Sequence, residues 1–68
     1  MEKFSERLNE LRLEKNLTQS ELAKETGLSQ NGIANWENWK RIPNINVVIT
    51  LANFFGVTVG QLAGTEEY

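Results

Sequence analysis

The stretch TQSELAKETGLSQNGIANWEN, Thr18 to Asn38, holds two helix starts and one helix stop. Thr18 followed by Glu21 is a capping box, in which the hydroxyl takes one free backbone N–H and the carboxylate reaches back to another. Gly27 supplies the left-handed residue that ends the helix so started. Ser29 is the N-cap of a second helix. About three residues separate the two, so the helices cross steeply, with Leu22, Leu28, Ile33 and Trp36 as the apolar contacts between them. The second helix then presents Gln30, Asn31 and Asn35 as a row of carboxamides. The motif is a helix-turn-helix.

The remaining chain supplies three further helices. Residues 2–15 place Phe4, Leu8 and Leu11 at i, i+4 and i+7, one buried stripe. Lys3 and Arg7 sit among glutamates there and read as surface pairs, and Leu13 lies off the stripe. Asn16 can take the left-handed residue after that helix. Gln19 to Thr26 follows, then Gln30 to about Asn38. Asn44 caps a helix from Ile45 to Phe55, ended by Gly56. In it Val48, Leu51, Ala52 and Phe55 form the core stripe, while Ile45, Val47, Ile49 and Phe54 are surplus apolar surface. Thr58 and Gln61 form a second capping box for a short helix that buries Leu62 and is closed by Gly64. The whole is one all-α domain, residues 1–68, with a core over about 4–63 and an acidic tail, 65–68, expected to be loose.

Composition excludes several function classes. With no cysteine and no histidine, thiolate and imidazole metal sites are absent and imidazole acid–base chemistry is impossible. The nine acidic residues show no pairing with a nucleophile, and no glycine-rich phosphate loop is present, so an enzyme is the least favoured class and no cofactor is expected. No apolar run approaches membrane-spanning length and no signal-peptide pattern occurs, which leads us to expect a cytoplasmic protein.

The third helix is the informative one. Gly32, Asn31, Asn35 and Asn38 all weaken it, and on a merely solvated face glutamate and lysine serve a helix better. Carboxamides, by contrast, donate and accept together, as bidentate reading of adenine in the major groove requires. Gly32, lacking a side chain, is expected to let the backbone approach a flat surface. The net charge of −2 argues the other way, since phosphate neutralisation supplies most non-specific affinity for nucleic acid. Placement tempers this. Glu2, Glu6, Glu10 and Glu14 share one stripe of the first helix, whereas Lys40 and Arg41 directly follow the carboxamide helix. For Gln19, at a helix N-terminus, a bound phosphate and simple solvation stand level.

In this order and spacing, Arg7-Leu8, Leu11-Arg12, Leu17-Thr18-Gln19, Glu21-Leu22-Ala23, Gly27-Leu28-Ser29, Ile33, Trp36-Glu37-Asn38, Pro43, Leu51-Ala52, Phe55-Gly56-Val57 and Leu62 form a specific signature. The chain resembles the phage-repressor and Cro-like helix-turn-helix domains, five-helix bundles of bacterial and phage transcription regulators. The resemblance spans about Phe4 to Leu62. It implies a sequence-specific repressor of double-stranded DNA that binds a palindromic operator as a homodimer. Gln30, Asn31 and Asn35 would read bases, while Gln19, Ser29, Asn38 and Lys40 would meet the backbone, with Arg41 added for its charge. Arg12 and Glu37 match a charged pair that ties the first helix to the end of the third. Ile45, Val47, Phe54 and Val59 are the expected dimer contacts. At Trp39 the family usually has a left-handed glycine, so either Asn38 takes that conformation or the connection is remodelled. A competing reading keeps the fold but makes it a protein-interaction module, an antitoxin or bridging factor, on the strength of the acidic balance and the apolar fourth helix.

Overall fold

Local capping chemistry sets the helix boundaries. The computed structural model describes residues 3–39 and 41–67, and among them the chain forms α1 (Phe4–Glu14), α2 (Gln19–Thr26), α3 (Gln30–Glu37), α4 (Ile45–Phe55) and α5 (Val59–Ala63). The capping boxes at Thr18 and Thr58 are complete, and the side chains of Ser29 and Asn44 accept from the N–H groups of Gly32 and Val47. Helices of 5 to 11 residues are too short to stand alone in water, so these caps and the shared core hold them. The first helix is shorter than the sequence indicates, with Lys3 and Lys15 as its flanking residues. Asn16 is left-handed at φ 56, as expected of a residue whose amide tolerates that region.

One core unites all five helices. Phe4, Leu8 and Leu11 of α1 meet Leu22 and Ala23 of α2, Ile33 and Trp36 of α3, Val48, Leu51, Ala52 and Phe55 of α4, and Leu62 of α5. The apolar surplus of α4 divides on either side of that stripe. Val47 and Phe54 turn half inward and pack against the core, the Phe54 ring standing edge-on to Phe55 with the Lys15 ammonium 5.6 Å from its centre. Ile45 and Ile49 stay in solvent. Val59 packs against the core with Val47 and Phe54, so of the four expected dimer contacts Ile45 alone is fully surface-exposed.

Arg7 corrects the sequence reading. It is not a surface partner of the α1 glutamates but is buried, 7% exposed, and donates to the carbonyl oxygens of Gln61 at 2.7 Å and Glu66 at 3.0 Å, with its Nη2 3.8 Å from the Glu67 carboxylate. The sequence could not show this, because its acceptors are backbone groups 54 and 59 residues away. Residues 65–67, read as a loose tail, accordingly fold back. The Gly60 carbonyl accepts from the N–H groups of Gly64, Thr65 and Glu66, and the Thr58 hydroxyl donates to the Glu66 carboxylate. Gly64, left-handed at φ 87, lies so close to Lys3 that a Cβ on it would stand 2.5 Å from the Lys3 Cβ.

Trp39 also departs from expectation. Asn38 keeps φ −97, and the left-handed conformation falls on Trp39 itself at φ 64. For a residue with a Cβ that conformation costs roughly 1–2 kcal/mol. The turn geometry is kept while its usual occupant is replaced.

Arg7→Met keeps the aliphatic stem but strips the donors, leaving two half-buried carbonyls without their guanidinium partner. Urea denaturation should show a loss of about 1–3 kcal/mol with an unchanged fold by circular dichroism.

Candidate nucleic-acid interface

The third helix is held by one face and offers the other. Ile33 and Trp36 are buried, and the opposite stripe, Asn31, Asn35 and Asn38, follows the i, i+4, i+7 spacing of a single helical face. Asn31 and Asn38 are exposed and Asn35 is half-buried. Gln30 is exposed at the first turn. Ser29 is exposed too, with its oxygen accepting from Gly32 N–H at 2.9 Å. Three of the four carboxamides therefore belong to α3 and Asn38 caps its end, while Arg41 lies exposed beyond it. Lys40 lies outside the described residues.

Gly32 works differently from the sequence reading. A Cβ there would stand 2.8 Å from the Ser29 hydroxyl oxygen and 3.0 Å from the Trp36 ring. The missing side chain makes room inward for the tryptophan and the cap. That need is internal to the fold and accounts for the glycine without any outside surface.

The carboxylate of Glu37, the last residue of α3, is the polar hub. Its Oε2 accepts from Arg12 Nε at 2.7 Å, and its Oε1 accepts from Arg12 Nη2 at 2.9 Å, Asn9 Nδ2 at 3.0 Å and Gln19 Nε2 at 3.1 Å. Arg12 Nη1 donates further to the Leu17 carbonyl at 2.8 Å. The pair is bidentate and nearly dry, the Glu37 side chain being 5% exposed. Burial pushes the Glu37 carboxyl up, but hydrogen bonds from Arg12, Asn9 and Gln19 and the Arg12 charge outweigh it, so its pKa lies below the ordinary value. Arg12 moves up in turn through its hydrogen bond to Glu37, against the opposing effect of desolvation.

Two consequences follow for the surface. Glu37 is the only charged residue in α3, and its charge is neutralised internally, so the exposed stripe carries no free carboxylate. Gln19, weighed as a phosphate contact or a solvated side chain, is half-buried with its amide N–H engaged by Glu37. Sequence reasoning paired Glu37 with Arg12 but missed Asn9, whose signal is only its place one turn before Arg12 on α1.

Residues 8–62 match a family described as helix-turn-helix. Over 64 residues, 94% of its length, the chain is 41% identical to the HTH-type transcriptional activator BcrR of Enterococcus faecalis, covering 31% of that protein. It is 33% identical to the cryptic phage CTXphi transcriptional repressor RstR of Vibrio cholerae, covering 58% of it. It is 31% identical to the HTH-type transcriptional regulator ImmR of Bacillus subtilis (strain 168), covering 50%. The chain thus spans between 31% and 58% of the length of these relatives. No solved structure matches it significantly.

Because the Glu37 carboxyl titrates lower in the folded than in the unfolded chain, its contribution is present above the unfolded value and fades as pH falls through the folded one. The thermal stability of the native protein should therefore fall as the pH drops below the ordinary glutamate range. Glu37→Gln should flatten that acid limb and cost roughly 3 kcal/mol at neutral pH by leaving Arg12 without its counter-charge.

Proposed function

This chain belongs to the helix-turn-helix family, and from that premise we propose that it binds double-stranded DNA sequence-specifically and regulates transcription. The observation that carries the reading is the outward stripe of carboxamides on a helix with no free acid. Entering a major groove, α3 would meet base edges through Gln30, Asn31 and Asn35, whose amides match the donor and acceptor of adenine. Ser29, Asn38, Lys40 and Arg41 flank it and would hold the phosphates, fixing register without reading sequence. Gln19 lies at the N-terminus of α2, where the free N–H groups and helix dipole suit a phosphate. Its amide would then leave Glu37 or share it.

The protein binds as a symmetric dimer, one α3 in each of two half-sites about a helical turn apart, roughly 34 Å. Supporting this, Ile45, 60% exposed, and Ile49 are a turn apart on α4. That helix carries no charge, and an uncharged patch can face its own copy across a two-fold axis without repulsion. Repression is the favoured output, because the repressor relative shares more of its length with this chain than the activator does. The interaction-module alternative keeps the same exposed isoleucines but gives the carboxamide row no task.

Selection from a random duplex pool should recover a palindrome, and failure to enrich any sequence overturns the reading. Gln30→Ala or Asn31→Ala should relax preference at one base pair of each half-site, at about 1–3 kcal/mol for each bidentate hydrogen-bond pair removed. Lys40→Ala or Arg41→Ala should instead weaken all duplexes alike and lower the salt slope by about one.

A further inference from the structure

We propose that Trp39 clamps the sugar–phosphate backbone of the bound duplex, an inference that rests on the DNA-binding reading above. A bulky side chain at positive φ is an outlier, and here packing does not account for it, since Trp39 is 62% exposed. It directly follows Asn38, the last exposed carboxamide of the α3 stripe. Its ring lines a shallow groove with Phe4, Ser5, Arg41, Ile42 and Pro43. Its lining is mainly apolar, with Ser5 the one uncharged polar residue and Arg41 the one charged residue. A flat apolar wall beside a guanidinium complements the apolar face of deoxyribose flanked by phosphate. A second copy of the chain, whose matching groove carries the same positive charge, offers Arg41 no phosphate to meet. Neutralisation of Glu37 within the fold removes the nearest acid of α3 from the approach.

Trp39 thereby adds affinity without sequence preference, a separate task from that of the carboxamides. The protein carries its own reporter, because Trp36 is buried and acrylamide reaches chiefly Trp39. On titration with a labelled random duplex at low salt, the acrylamide quenching constant should fall at least about twofold as the anisotropy rises, the response of a contact that excludes water. Trp39→Gly and Trp39→Asn, both able to adopt the left-handed turn, should bind every duplex about tenfold more weakly with base preference unchanged. Circular dichroism melting checks that each variant folds; where one does not, quenching of the native protein decides. Duplex binding with quenching unaltered, or folded variants that bind at native strength, overturns the clamp and leaves the DNA-binding reading standing. Protection on raising protein concentration without DNA assigns the groove to a second copy and also overturns it. Absence of binding to any duplex removes the reading and the clamp together.

Discussion

Everything on the outward side of α3 depends on the single carboxylate at its inner end. Glu37 receives four hydrogen bonds from three side chains, Asn9 and Arg12 on α1 and Gln19 on α2. An apolar core turns the Ile33 and Trp36 face of α3 inward but fixes its rotation only coarsely, because apolar burial is not directional. A bidentate guanidinium–carboxylate pair is directional and tolerates little rotation. Buried ion pairs add little net stability but can specify arrangement, and in this fold the arrangement specified is the facing of α3. Trp36 supplies the second constraint, its ring seated in the space that Gly32 leaves open. With one end of α3 pinned by charge and its middle by shape, the exposed stripe is oriented before any ligand arrives.

The fold was largely legible where its chemistry is local. The capping box at Thr18 and Glu21 is spelled at a spacing of three residues, and so is that at Thr58 and Gln61. The structure forms both as written. The stripe of Phe4, Leu8 and Leu11 is equally a matter of helical spacing, and all three are buried. Arg7 marks the limit. Set among the exposed Lys3, Glu6 and Glu10 it reads as a surface charge, yet its partners are carbonyls of the last helix and the segment beyond, invisible to any periodicity.

The candidate site was legible in composition but less so in geometry. Carboxamides in a helix of poor propensity mark α3 as unusual from the residues alone. Which glycine serves the fold and which serves a surface is another matter, since Gly32 shows its purpose only once the Trp36 ring is placed against it. Gln19 is similar, because its position at a helix start argues for an anion while its actual partner comes from another helix. Trp39 could be identified as a departure, and the sequence framed the right question about it. The answer, that the tryptophan itself adopts the left-handed turn, depends on backbone energetics shared among several residues.

The stitch between Arg7 and the chain beyond α5 has a bearing on how the domain is made. Its acceptors are synthesised 54 and 59 residues after the donor. Closing so long a loop costs only slowly more entropy than closing a short one, but the loop cannot close until both ends exist. A nascent chain therefore assembles α2, α3 and α4 by near-neighbour contacts while the guanidinium of its first helix waits in water. Docking of α1 is completed only when Glu66 has left the ribosome, so the earliest of these five helices in chain order is the last to be locked.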